Sequence, residues 1–277
     1  MKASKIQFFA ALLSVIPLVG ACILSGGPEE TPPEEAEKPS EEETPTIKTY
    51  KRIVQFTSGG WPVSSLDIFL YEDFLIEHRR FEKKDSVHLT LEENKTYKMV
   101  AIANAMGKFN EEALRHYDSW ESFETCLSDE NTDFPIMAIS ETLVANMDRT
   151  VLQLTPLLCT IQIRSVSHLL PDDTLIENPR AYLKNCSSKG KPLATGLMAP
   201  YEQKDSPAAY LPNDIGLYTQ YPGMLLYAYP NETSSTPTTP PTELLLEYEI
   251  NGQTHRYNRI IHPLERGSYT PVDIVIK

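Results

Sequence analysis

The sequence predicts an all-β protein: two β-sandwiches with a short helical insertion in the first, preceded by an export signal and a disordered tether. Three observations carry this. From Thr46 onward, apolar residues recur mostly at alternate positions in short runs, the period of half-buried strands. The connections between runs are of hairpin length and several carry Gly, Asn or Pro. Only one segment, 110–127, shifts to three- and four-residue spacing. No residue-level repeat is evident, but each half holds several short strands, which favours two sandwiches.

The chain begins with Lys2 and Lys5, an apolar stretch Phe8–Val19, and then Val19-Gly20-Ala21-Cys22. This is a secretion signal, too short in its apolar part to span a bilayer. A cysteine after small residues is the pattern of a bacterial lipobox, with Val19 where leucine is usual, so Cys22 is the expected site of lipidation. Next come eight glutamates against Lys38 in a proline-rich run from Pro28 to Pro45, a composition that repels itself and buries nothing. The expected units are therefore a signal peptide at 1–21, a tether at 22–46, and domains at 47–155 and 156–277. The formal net charge is -13 and much of it sits in the tether. The remaining body is mildly acidic without a basic stripe, which argues against nucleic acid as a partner.

In chain order, Thr49–Phe56 alternates, although Ile53 beside Val54 blurs its faces, and Gly59-Gly60 breaks it. Leu66, Ile68 and Leu70 share one side of Ser65–Tyr71, and Val87, Leu89 and Leu91 one side of the next strand. Tyr97–Ala103 is nearly all apolar, as in a strand buried on both faces. Across 110–127 the spacing of Leu114, Tyr117, Trp120, Phe123 and Leu127 predicts one or two short helices, with Asn110 and Ser119 as N-caps. Extended structure resumes at Phe134–Met137, and Thr150–Leu154 is a further strand. Pro156 marks a break before the strand carrying Leu157, Cys159, Ile161 and Ile163, whose outward residues are Thr160, Gln162 and Arg164.

The second half predicts strands at Tyr182–Asn185, Leu225–Tyr229, Thr242–Ile250, Gln253–Ile261 and Val272–Ile276, with a polar loop at Thr233–Thr242. Asn251-Gly252 reads as a type I′ turn. That turn sets Glu247 opposite Arg256 on an outer face, worth a few tenths of a kcal/mol, roughly. It sets Leu246 opposite Tyr257 and Tyr248 opposite His255 at the edge of the core. Besides Cys22 there are Cys126, Cys159 and Cys186. Their spacing is neither a disulfide framework nor a metal motif. Cys159 reads as a small core residue, and a Cys126–Cys186 bridge is an open alternative.

A search for chemistry finds no nucleophile elbow, zinc-protease helix, phosphate loop or C-x-x-C pair. The six histidines are scattered, and no spacing suits a shared metal. Neither catalytic nor metal residues are assigned, and no cofactor is expected. Trp61 and the many tyrosines offer a sugar-stacking reading, against the more frequent one of strand and core aromatics.

Several segments, in order, resemble the fimbrillin superfamily of Bacteroides-type bacteria, the FimA-like and Mfa-like subunits. Ser65-Leu-Asp-Ile-Phe-Leu-Tyr-Glu72 and Tyr97-Lys-Met-Val-Ala-Ile-Ala-Asn104 are similar to two strands of that family. Asp133-Phe-Pro-Ile-Met137 and Leu154-Thr-Pro-Leu-Leu-Cys-Thr-Ile-Gln-Ile163 resemble two later motifs, the second with Pro156 where arginine is usual. Tyr182–Asn185, Leu226–Glu232 and Gly267–Ile276 look like the closing strands. The resemblance covers about 47–277.

It implies two transthyretin-like sandwiches and no enzymatic activity. It implies a surface lipoprotein of the outer membrane or fimbrium, whose partners are other fimbrial subunits, the membrane through its lipid, and a host or bacterial surface ligand. Assembly in the family proceeds by β-strand exchange. The residues matching the first strand are Tyr50, Arg52, Val54 and Phe56, and those matching the donated or final strand are Val272, Ile274 and Ile276. Cleavage in the family follows an arginine after the first strand. Here Thr57–Ser65 has none, and Arg52 and Arg80 are the candidates. The chain also stops right after its last strand, leaving no long tail to donate. Both points favour an anchor, accessory or tip subunit over a polymerising stalk. The alternative is a surface binding module for glycan or host protein outside any polymer.

Overall fold

The protein, seen in a computed structural model, is described at residues 47–277 except 106, 146, 147, 194–196, 201, 234, 235 and 237. Cys22, the signal and the tether lie outside the described residues. The first half contributes β1 (Thr49–Thr57), β2 (Ser65–Tyr71), β3 (Leu75–Glu82), β4 (Ser86–Glu92), β5 (Thr96–Ala103), β6 (Thr125–Cys126), β7 (Met137–Val144), β8 (Arg149–Gln153) and β9 (Thr155–Pro156). One layer is β4-β1-β8, and the facing layer is β3-β2-β5-β7-β9.

The second half contributes β10 (Cys159–His168), β11 (Glu177–Lys184), β12 (Cys186–Ser187), β13 (Lys189–Gly190), β14 (Gln203–Lys204), β15 (Ala209–Tyr210), β16 (Tyr218–Gln220), β17 (Leu225–Ala228), β18 (Glu243–Ile250), β19 (Gln253–Ile260) and β20 (Tyr269–Ile276). Its layers are β10 flanked by β16 and β17 on one side and β20 on the other, facing β15-β11-β18-β19.

The two halves repeat one topology. In each, the first strand pairs antiparallel with strands from the middle of its half (β1 with β4, β10 with β16 and β17) and parallel with a strand near its end (β8, β20). The other layers, β3-β2-β5-β7 and β15-β11-β18-β19, are antiparallel throughout. The repeat was invisible in the residues because only the strand order is shared.

Strand periodicity accounts for the core. Leu66, Ile68 and Leu70 of β2 meet Val54, Phe56, Val87, Leu89 and Leu91 inside the first sandwich. The alternate residues Phe69 and Tyr71, with Val100 and Ile102 of β5, face outward and are still buried, because the 105–136 segment covers them with Leu114, Trp120 and Ile136. Trp120 Nε1 donates to the Tyr71 hydroxyl (2.8 Å), which donates to Leu114 O (3.0 Å). The core of the second sandwich is separate and includes Ile161, Ile163, Leu183, Leu246, Val272 and Ile274.

The insertion is less helical than its spacing predicts. It forms a 3₁₀ helix at Tyr117–Ser122 and a second at Leu127–Asp129. Asn110 Oδ1 accepts from Ala113 N (3.2 Å), but this is an isolated turn, and Ser119 lies within the 3₁₀ helix and not at its cap. The recurring aromatics are rings packed on β2 and β5, with Phe109 and Trp120 edge-on to Phe69 and Phe123 tilted against both of them; they are not the stripe of a long helix. Strand β3, with charge at Glu77, Arg79, Arg80 and Glu82, was not predicted. It is a charged edge strand with little apolar periodicity. Trp61 is half-buried against the first core, not exposed.

Asn251 and Gly252 have φ of 52° and 73°, as a type I′ turn requires, and the predicted register of β18 and β19 is present. The charge pair differs from expectation. Glu247 is 5% exposed because β11 places Arg180 opposite it on the other side. Arg180 Nε lies 2.7 Å from Oε1 and Arg256 Nε 2.9 Å from Oε2. Hydrogen bonding, first to Arg180 and then to Arg256, holds the carboxyl below the usual carboxylate range. The stabilisation is therefore complete above the unfolded value and is lost as pH falls through the depressed folded one. Glu247→Gln should be less stable than wild type at neutral pH. The gap in urea midpoint should close as the pH drops below about 4. A gap constant with pH would contradict this.

Candidate functional site

The strand-exchange candidates fall in two places, one in each sandwich. In β1, Arg52, Val54 and Phe56 point inward and are 2%, 0% and 4% exposed. Tyr50, in the same row but beyond the end of the core, is exposed, and its hydroxyl donates to Glu93 (2.9 Å). Burying Val54 and Phe56 contributes about 1.5–3 kcal/mol each. Arg52 occupies the inward row where that row reaches the end of the sandwich. It donates to Val144 O (2.6 Å) and, through Nε, to Thr150 Oγ1 (3.1 Å). Burial pushes its pKa down.

Strand β1 is thus bonded to β4 from Thr49↔Glu92 to Gln55↔Ser86, and to β8 from Ile53↔Arg149 to Thr57↔Gln153. Among the described residues β4 and β8 form no ladder with each other, so β1 alone joins them. Strand β20 holds the corresponding outer position in the second sandwich. Its Val272, Ile274 and Ile276 are buried, and they pair in register with Ile163, Val166 and His168 of β10. The two sets belong to separate sheets and cores. Arg80 lies on the edge strand β3, partly exposed, with Nη1 3.1 Å from Gly107 O and 3.3 Å from Asp67 Oδ2.

Between the sandwiches lies a junction the sequence did not reveal. Leu157, Leu158, Met198 and Tyr229 form its apolar centre. Glu130 accepts from Ile136 N (2.6 Å) and from the Tyr229 hydroxyl (2.7 Å), and burial raises its pKa. Arg266, just before β20, donates to Ala138 O (3.1 Å) and Thr155 O (2.9 Å) of the first half and to Pro192 O (2.5 Å) of the second. Burial lowers its pKa to about 10. Gly267 has φ +67°, and a Cβ there would come 2.9 Å from Thr155 Cγ2. Gly190 is equally close: a Cβ would lie 2.7 Å from Leu157 Cδ2. The short β6–β13 ladder adds backbone bonds across the same junction. The only sequence sign of all this is Arg266-Gly267 ahead of the last strand.

Cys126, Cys159 and Cys186 are free thiols, and burial pushes those of Cys159 and Cys186 up to about 12. Among the described residues no group of His, Cys, Asp or Glu could hold a metal ion, and no helix is long and apolar enough to cross a membrane. Replacing Arg266 by alanine would strand three carbonyls at the junction. A loss of about 3 kcal/mol is expected in chemical denaturation, with faster hydrogen exchange at 155–158. Unchanged exchange there would show that the junction does not depend on this side chain.

No family model matches the chain, and no curated protein matches it. Solved structures do share its fold. A putative cell adhesion protein from Parabacteroides distasonis superposes with a TM-score of 0.62 at 12% identity, over 82% of this chain and 88% of that one. A fimbrial assembly protein from the same species gives 0.52 at 16%, over 82% and 90%. The tip fimbrial protein Mfa3 from Porphyromonas gingivalis gives 0.50 at 10%, over 78% and 83%. The two-sandwich β fold expected from the sequence is the fold observed, and these solved structures share it.

Proposed function

We propose that this chain is a structural subunit of a cell-surface fimbria, an anchor, accessory or tip, assembled by β-strand exchange, serving adhesion and tethered to the outer membrane through lipid on Cys22. Residues 47–155 and 156–277 act as its two domains, and other fimbrial subunits are its partners. The observation that carries this reading is the place of β1. In a fold shared with fimbrial proteins, it is the single strand joining two others, and it supplies a core row. A subunit that keeps β1 fills that position itself, so no incoming strand can enter there and a fibre would end at this subunit.

A retained β1 fits this chain better than a removed one. Arg52 is in the middle of β1 and enclosed, so a cut there would leave half the strand behind. A cut after Arg80 would take β1, most of β3 and the whole of β2, whose seven residues are all buried. The loop between β1 and β2, where a cut would free β1 alone, contains neither Arg nor Lys.

The mass of the mature N-terminus on cells should correspond to lipidated Cys22; a start within 57–65 or after Arg80 would overturn the retained role. Strand exchange has its own test. Removing residues 269–277 should abolish incorporation into fibres with partner subunits, and a synthetic 269–277 peptide should restore it. Incorporation indifferent to both manipulations would sink the exchange reading.

A further inference from the structure

The outer face of the β10 sheet carries a trough. β10 pairs with β20 in register up to Ile163↔Val272 and resumes at Ser165↔Asp273, so Arg164 is the extra residue of a bulge. Beyond it the outward row of β10 continues through Ser165 and Ser167. Ser165 lies between Gln220 of β16 and Asp273 of β20, and Ser167 between Tyr218 and Val275. Small hydroxyls on the middle strand and larger side chains on both flanks make a trough of about 610 Å³ along the sheet. That volume is within the range of ligand sites.

The chemistry of the trough is specific. Its two charges are spent on each other: Arg164 is paired with Asp273, and Ser165 Oγ donates to the same carboxylate (2.8 Å). The rest of the lining is neutral: the amides of Gln162 and Gln220, which donate to Pro222 O (2.9 Å) and to the Tyr218 hydroxyl (3.2 Å), the hydroxyls of Ser165 and Ser167, and Tyr218, 60% exposed at one end. Tyr269, 57% exposed, stands beside the other end, with its hydroxyl bonded to Gln162. The usual reading of strand tyrosines as core does not hold for these two. The floor is a sheet face whose backbone groups are already paired, so an added β-strand finds no ladder there. An anionic ligand finds its guanidinium engaged. Donors and acceptors side by side, next to an aromatic face, suit a molecule that is itself hydroxyl-rich with apolar C–H faces.

We propose that this trough, formed by β16, β10 and β20, binds a neutral saccharide. The inference rests on the adhesive reading above and gives it a ligand class.

The test uses the protein purified as the cell exports it and surface plasmon resonance. The probes are immobilised galactose-, glucose- and mannose-terminated oligosaccharides, with sialylated and sulfated versions beside them. Saturable binding to at least one neutral probe is expected. Tyr218→Ala should weaken it about tenfold and Tyr218→Phe should largely retain it, since the ring supplies the contact. Ser167→Leu, which fills the floor, should also weaken it. Tyr210→Ala, at an exposed tyrosine on another sheet, should not. These positions are at the surface, and unchanged thermal unfolding will confirm that the variants fold. Absence of binding, binding confined to the sialylated or sulfated probes, or neutral binding that survives both Tyr218→Ala and Ser167→Leu would overturn the proposal. Incorporation of the same variants into fibres, measured in parallel, separates failure of the trough from failure of the fimbrial reading.

Discussion

In both sandwiches the first strand lies between two strands that are not bonded to each other, and the last strand of each half returns to run parallel beside it. A parallel partner cannot be reached by a hairpin, so each half must run almost to its end before the layer holding its first strand can close. Closure joins Ile53 to Arg149 in one half and Thr160 to Tyr269 in the other. Contacts at such separation cost loop entropy before they return anything, which makes the layer cooperative. It also concentrates dependence on one strand. β1 and β10 are the interior strands of their layers, and each holds neighbours on both sides and a core row together. That is the position at which exchanging one strand for another changes most.

Arginine does much of the joining work where strands end. Arg52 closes the end of the first sandwich by reaching Val144 O and Thr150, and Arg266 spans the two halves on three carbonyls. A guanidinium suits these places because its planar set of donors can satisfy several acceptors that fixed backbone positions leave open. The lowered pKa of both groups reflects the same choice, since carbonyls replace little of the solvation that burial removes. A junction built this way resists bending, because each carbonyl belongs to a different segment of sheet or loop. In a fibre, a subunit with such a joint would carry tension from one sandwich to the next without a hinge.

What the sequence disclosed follows from the range of each interaction. Strands with one buried face, such as β4 and β20, were legible because alternation is local, and the Asn251-Gly252 turn fixed a register correctly for the same reason. The β3 strand was not legible, because as a charged edge it lacks the alternation that burial imposes. Arg180 over Glu247 was not legible either: a turn specifies β18 against β19, but no local signal sets β11 against β18. The aromatic spacing at 110–127 was read as helix. Rings that must all reach one sheet can recur at that spacing without an α-helix, and a 3₁₀ turn with loops suffices. The strands carrying Tyr50–Phe56 and Val272–Ile276 were both legible, but the junction between the two halves depends wholly on contacts across the fold.

The period of two in a strand lets β20 serve both readings. Val272, Ile274 and Ile276 face the core, while Tyr269, Asp273 and Val275 face outward and border the trough. Assembly and recognition would then draw on opposite faces of one strand. A saccharide held in the trough contacts β20 only when that strand is docked beside β10, so it favours the docked state by mass action. On these two proposals, ligand binding and strand exchange at this edge would be coupled in sign: each glycan bound outside would make the last strand harder to remove from within.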